Sequence, residues 1–139
     1  FGREAHTAGA AGWQSNERSR EVYDEAGLLY ASDARGEFPF FPRVNGRVFK
    51  TLEIPSTVPT FDELLGRPEY PEERIVPHYL SLLRTDRQLL AACRDAGVEF
   101  IRLDELAREL LADRARIPVC DQVQAEIDGR SGRIAVQAA

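Results

Sequence analysis

Apolar and polar positions along the chain sort into an alternating βα pattern, weak in the first half and clear in the second. Residues 5–9 read as a short buried strand, weakly signalled because Ala and Gly are poor strand formers. Ser15 to Ala26 reads as a polar helix, with Asn16, Glu17 and Arg18 at its start and Gly27 at its end. Its inward stripe is Val22, Tyr23 and Ala26. Leu28 to Ala31 is a second strand, compact and apolar. Strand, loop, helix, turn and strand in that order predict a parallel pair. Its loops, at Gly12-Trp13 and Asp33-Arg35, would open at one edge of the sheet, where α/β proteins place their ligands.

From Glu37 to Pro59 the character changes. Phe38-Pro39-Phe40-Phe41-Pro42 is too broken by proline for a helix or a central strand. Asn45-Gly46 signals a hairpin turn, with Arg43-Val44 leading in and Arg47 to Ile54 leading out. The three phenylalanines read either as a local mini-core or as contacts for an apolar ligand tail. Thr60 and Glu63 have the spacing of a capping box on a short helix that Gly66 stops, and Pro68 and Pro71 make a linker. A helix over Ile75 to Arg84 carries Val76, Tyr79, Leu80 and Leu83 on one side; another starts at Thr85-Asp86 with Leu89, Leu90 and Cys93 inside. Two helices thus meet where the alternating pattern predicts a strand between them. Val98 to Leu103 is a strand, and Asp104 caps a last helix with Leu106, Ala107, Leu110 and Leu111 inward. The tail from Ile117 alternates weakly and reads as an edge hairpin or a mobile end. The expected organisation is one α/β domain over residues 1–116 and a tail over 117–139.

With 139 residues, 43% hydrophobic and 29% charged, the chain is expected to be globular and to hold a real core. A net charge of −5 argues against a nucleic-acid partner. No apolar run approaches the roughly 20 residues of a membrane helix, and no signal peptide opens the chain. The first residue is Phe1 rather than Met, so a partial chain is expected. Cys93 and Cys120 lack metal-type spacing and read as free thiols of a reducing compartment. His6 and His78 are too few for a histidine-rich metal site. Phosphate loop, His-Glu zinc helix and serine elbow are all missing from the sequence.

The candidate chemistry therefore concentrates on the two loops. A single Trp13 after Gly12, with Asp33 and Arg35 on the next loop, reads as the rim of a binding site. The other reading keeps Trp13 as a cap on the core and pairs Asp33 with Arg35 on the surface.

Three segments carry a family resemblance: Ala10-Ala11-Gly12-Trp13, then Tyr30-Ala31-Ser32-Asp33-Ala34-Arg35-Gly36, then Ile54-Pro55-Ser56-Thr57-Val58-Pro59-Thr60-Phe61-Asp62-Glu63-Leu64-Leu65-Gly66. In this order and spacing they resemble the polysaccharide deacetylases of the NodB-homology type. The nearest branch deformylates undecaprenyl-phosphate-linked 4-deoxy-4-formamido-L-arabinose. The resemblance implies the C-terminal portion of a distorted (β/α) barrel with a β-hairpin excursion, in a family whose barrel is about twice as long. It implies a divalent cation, usually zinc, held by an Asp and two His, with a second Asp as base on the metal-bound water and a late His as acid. The early Asp strand and the His-x-x-x-His segment would precede Phe1. The late His belongs to the strand missing between the two helices; His78 reads as a half-exposed helical histidine, while His6 could line the site without a metal role. What carries over is the wall of the substrate pocket, Gly12, Trp13, Asp33 and Arg35, with no catalytic or metal-ligating residue.

The resemblance thus implies a hydrolase of amide C–N bonds in a lipid-linked amino sugar or a polysaccharide. Such an enzyme would work in the cytoplasm at the inner face of the cytoplasmic membrane, with apolar loops such as Phe38 to Phe41 as the peripheral contact. The missing N-terminal half of the same barrel is the expected partner, and the chain alone is expected to bind no cofactor and to be inactive. The alternative is a non-catalytic α/β domain that binds carbohydrate or lipid-linked sugar.

Overall fold

Three short parallel strands carry the first half of the chain: β1 (Thr7–Ala8), β2 (Tyr30–Ala31) and β5 (Leu52–Glu53), in the order β1-β2-β5. The computed structural model describes residues 2, 4–57, 60, 63, 68, 73, 95–97, 101–127 and 132–138. It divides into two compact units, one of Phe1–Val58, Arg102–Ile127 and Ser131–Ala139, the other of Pro59–Ile101 and Asp128–Arg130. The architecture is mixed α/β, with one parallel and one mixed sheet in the first unit.

Helix α1 (Glu17–Glu25) connects β1 to β2. Asn16 starts it: its side chain accepts from the Ser19 N–H at 3.1 Å, and the Ser19 hydroxyl accepts from the Asn16 N–H at 3.3 Å. That reciprocal pair satisfies donors a helix start otherwise leaves open. The expected inward stripe is corrected: Val22 is 44% exposed and Ala26 is exposed, whereas Arg20 is buried. The reason is electrostatic, because carboxylates lie beneath this helix where an apolar core was expected. At its C-terminal end Asp24 accepts from the Lys50 and Thr51 N–H groups and from the Thr51 hydroxyl, tying α1 to the approach to β5.

Between β2 and β5 the chain makes the hairpin of β3 (Phe41–Val44) and β4 (Arg47–Val48). Asn45 (φ 50°) and Gly46 (φ 80°) both adopt the left-handed conformation a two-residue turn of this kind requires. The expectation that Phe41-Pro42 lies outside any central strand is overturned. β3 pairs with β4 on one side and, in parallel, with β6 (Val119–Glu126) on the other. Pro42 is tolerated because it falls at the end of the β3–β4 pairing, just past the Arg43–Val48 pair: its carbonyl accepts from the Phe49 N–H at 2.8 Å, and only the return bond to Phe49 is forfeited. Phe40 is fully buried and Phe41 nearly so, which makes them core; Phe38 is 45% exposed.

The segment after Ile117 is a hairpin of β6 and β7 (Arg133–Gln137), giving a sheet of order β4-β3-β6-β7. Residue Arg35 links this sheet to the parallel one: its N–H donates to the Ala135 carbonyl at 2.9 Å and its own carbonyl accepts from Gln137 at 2.7 Å, while Ser56 pairs on its other side. Helix α2 (Leu103–Ala112) lays Leu106, Ala107, Leu110 and Leu111 against Phe41, Leu52, Ile54 and Ile117, the apolar core of this unit. Fully burying each Leu or Ile there contributes about 1.5–3 kcal/mol. Its start also differs from expectation. Arg102, not Asp104, is the N-cap residue, its N–H donating to Glu105 at 3.4 Å, and Leu103 is helical rather than the end of a strand. Asp104 sits inside the first turn, its carboxyl held below the usual range by the hydrogen bond from Arg108.

In the second unit the Thr60 N–H donates to Glu63 Oε2 and the Glu63 N–H to the Thr60 carbonyl, both at 3.1 Å. The helix expected at Ile75 to Arg84, the missing strand after it, the start of the helix expected from Thr85, His78 and Cys93 lie outside the described residues; of that second helix Asp95 is helical, with Gly97 (φ 75°) in the turn that ends it.

Candidate functional site

Each parallel strand hands over to a loop at its C-terminal end, and the three loops meet. After β1 come Gly9 to Ser15; after β2, Ser32 to Gly36; after β5, residues 54–56. The first closes as a 3-10 turn (Ala11–Trp13) with Gly12 at φ 62° and Trp13 at φ 55°. Glycine adopts this conformation freely, whereas a bulky residue pays about 1–2 kcal/mol. The strain at Trp13 is offset by the contacts it secures. Its indole Nε1 donates to Ser56 Oγ at 3.2 Å, and the Arg35 guanidinium stacks over its ring at 5.0 Å from the centroid. A stacked arginine of this kind is worth about 0.5–2 kcal/mol. Trp13 is partly exposed and Arg35 is 9% exposed, so the pair forms a half-buried aromatic and cationic wall with the Ser56 hydroxyl beside it. Gly36 permits the close approach behind Arg35: a Cβ there would lie 2.6 Å from Gln137 Oε1 and 3.1 Å from Pro55.

Beneath this wall lies a buried ionic network. Arg20 Nη2 donates to Asp33 Oδ1 at 2.7 Å and to Ser15 Oγ at 3.2 Å; its Nη1 donates to Glu53 Oε2 at 2.7 Å. All three charged side chains are fully buried. Asp33 Oδ2 accepts from the Tyr23 hydroxyl at 2.7 Å and the Ala10 N–H at 3.2 Å, and Glu53 Oε1 accepts from the Asp33 and Ala34 N–H groups at 2.9 and 3.0 Å. Burial pushes the Glu53 carboxyl up to about 7, against the pull of Arg20 and with the Asp33 carboxylate adding to the rise. Burial, reinforced by its hydrogen bond to Asp33, keeps the Tyr23 phenol protonated.

The network grips both loops. Ala10 and Ser15, at the two ends of the turn that carries Trp13, are held by Asp33 and Arg20; the backbone just before Arg35 is held by Glu53. Of the four residues expected to line a pocket, Gly12, Trp13 and Arg35 stand at the meeting of the loops. Asp33 lies below them, its partner Arg20 and not Arg35. His6 is exposed and precedes β1, on the opposite end of that strand from the Trp13 loop. Arg20, Tyr23, Glu53, Ser15 and Ser56 were not anticipated. The available signal was spacing: Arg20 and Tyr23 lie three apart on one helix face.

An α/β unit with an aromatic and cationic wall at the C-terminal ends of its parallel strands is the class defined by this geometry. No protein-family model matches the chain. Over 157 aligned residues, 99% of this chain and 49% of the relative, it is 26% identical to the "Probable 4-deoxy-4-formamido-L-arabinose-phosphoundecaprenol deformylase ArnD" of Shewanella sediminis (strain HAW-EB3). A protein of the same name from Wigglesworthia glossinidia brevipalpis is 39% identical over 56 residues, 40% of this chain and 20% of that protein. The chain thus aligns over nearly its whole length with the first of these relatives and spans about half the length of that protein. Among the described residues no helix is long and apolar enough to cross a membrane.

Proposed function

We propose that the chain supplies the substrate-pocket wall of an amide hydrolase that removes a formyl or acetyl group from the amino sugar of a lipid-linked saccharide. On this reading the parallel strands β1, β2 and β5 belong to the C-terminal half of a distorted (β/α) barrel, and the stretch 117–139 adds the β6–β7 hairpin to the same unit. The observation that carries this reading is the Trp13–Arg35–Ser56 wall at the strand ends, in a chain similar over 99% of its length to a protein named as a probable deformylase. Gly12 shapes the turn, Trp13 offers its ring to the apolar face of a sugar, and Arg35 faces polar or anionic groups of the substrate. Asp33 acts as a positioning residue, because its carboxylate is already taken by Arg20, Tyr23 and the Ala10 N–H. The enzyme works at the inner face of the cytoplasmic membrane, where Phe38 is the one phenylalanine of its segment left exposed for apolar contact.

The resemblance also brings a divalent cation, and the described residues do not fit it. No group of three or more His, Cys, Asp or Glu among them is placed to hold a metal, and the carboxylates nearest the wall are committed to Arg20. On this reading the metal's ligands come from the other half of the barrel, and the chain alone turns nothing over. That commitment of Asp33 and Glu53 also favours the second reading, a domain that binds sugar without hydrolysing it.

One preparation tests both. Trp13 is the only tryptophan, so its fluorescence reports on the wall directly. Titration of the chain with a 4-formamido sugar is expected to change that emission, with weaker binding in Arg35→Ala, and no formate is expected to be released with or without added zinc. Zinc-dependent release by the chain alone would end the claim of inactivity. An emission unmoved by any formamido or acetamido sugar would remove the wall from the substrate pocket. In a protein of the relatives' full length, Trp13→Ala and Asp33→Asn are expected to lower kcat/KM at least tenfold, consistent with the loss of about 1.4 kcal/mol of transition-state binding.

A further inference from the structure

A second concavity, a groove of about 660 Å³, runs between the N-terminus of α1, the β3–β4 turn and β6. Neither Trp13, Arg35 nor Ser56 lines it. Asn16 and Glu17 form one lip and Asn45 another, joined where the Asn45 amide donates to Glu17 at 2.6 Å. Gln122 and Gln124, two apart on β6 and so on one face, line its floor.

Its charges balance. Arg43 and Arg133 are matched by Glu17 and Asp121; Arg43 lies 3.4 Å from Asp121, and Arg133 donates to the Gln124 carbonyl at 2.8 Å. A groove of this kind has no net attraction for an anion or a cation. Gln124 is also satisfied, its amide donating to the Ser15 carbonyl at 2.7 Å.

Gln122 is the exception. It is 5% exposed, and its side-chain Oε1 is buried without a hydrogen-bond partner. A buried amide left in that state costs about 1–3 kcal/mol. A hydroxyl both donates and accepts, so it can satisfy this amide whichever way the amide is turned. Val44 and Val123 add some apolar surface to the otherwise polar lining. We propose that this groove binds a neutral sugar ring through its hydroxyls, with the Gln122 amide as the buried anchor.

The proposal is independent of the wall at Trp13, and its test uses no hydrolysis. The full chain, labelled with nitrogen-15, is titrated with methyl glucopyranoside, galactopyranoside and arabinopyranoside, and with inorganic phosphate as the anionic control, while amide resonances are followed by NMR. The expected result is millimolar binding of at least one glycoside, with shifts centred on Asn16, Glu17, Gly46 and Gln122. Gln122→Leu is expected to weaken it about tenfold, the worth of one buried hydrogen bond, without lowering the melting temperature. Shifts confined to Trp13 and Arg35, no shifts at all, or a response to phosphate alone would overturn the proposal. So would a drop in stability of Gln122→Leu, because the amide would then already have a partner in the free protein.

Discussion

Helix α1 carries two sets of ion pairs on different faces, with nearly identical distances and very different consequences. Arg20 meets Asp33 and Glu53 at 2.7 Å with every partner fully buried. One residue along, Glu21 meets Arg18 at 2.8 Å and Arg47 at 2.7 Å, with the arginines 70% and 55% exposed. Geometry does not separate them; solvation does. Water already stabilises the charges of the outer set, so pairing adds little. In the inner set two carboxylates and one guanidinium have left water, and the cost is tolerable only while all of them stay together. The inner set also holds the loops of Trp13 and Arg35, which makes the most sensitive electrostatics of the fold the foundation of the candidate site.

The sharpest way to break this comparison is Arg20→Met. It leaves two carboxylates buried without a counter-charge, and a loss of about 3–5 kcal/mol is expected in urea unfolding. Because Arg20 also holds Ser15, the emission of Trp13 should shift in the fraction that stays folded. Adding Glu53→Leu removes one stranded charge, and part of the lost stability should return if the two effects couple. A loss no greater than that of a surface arginine would mean the network is not desolvated in solution.

A second prediction uses pH. Burial raises the Glu53 carboxyl to about 7, so folding favours its protonated form. The stability this contributes is fully present below the ordinary glutamate pKa, near 4.3, and is lost as pH rises to about 7. A shift of that size corresponds to a few kcal/mol. The Glu53→Gln variant, unable to titrate, should therefore lose less stability than the wild type between pH 5 and pH 8, although it is weaker overall because its amide nitrogen would face Arg20. Parallel stability-pH curves for the two proteins over this range would refute the raised carboxyl.

How much of this was legible beforehand follows from the range of the interactions. Asn16 at the start of α1 and Asn45-Gly46 in the hairpin act on their immediate neighbours, and local chemistry is readable from sequence. The parallel strand–helix–strand unit follows from its alternation. Arg20 is left out of the inward stripe read from the sequence because a binary pattern assigns arginine to the surface. Its burial depends on partners 13 and 33 positions away, which no local window contains. Asp33 was noticed for the same reason that its role was missed: a carboxylate between Ser32 and Ala34 on a loop looks exposed until the helix above it is placed. Pro42 in a paired strand was unreadable because its tolerance depends on where β4 ends. The Arg102 start of α2 was hidden by Asp104, a better capping residue by type that lies inside the first turn.

The smallest effect is expected on the outer face of α1, and its sign is opposite to that at Glu53. The hydrogen bonds from Arg18 and then Arg47 hold the Glu21 carboxyl below the usual glutamate range. Whatever stability it contributes is present above the ordinary glutamate pKa and is lost as pH falls through the lowered one. Glu21 faces solvent-borne ions as readily as its partners, so salt should erase the contribution. Glu21→Gln is therefore expected to melt slightly below the wild type at low ionic strength and neutral pH, and together with it in high salt or in acid. The two glutamates then move stability in opposite directions on acidification, one gaining where the other loses. If salt left the Glu21→Gln difference intact, the outer pairs would be shielded from water, and burial would no longer be what separates the two faces of this helix.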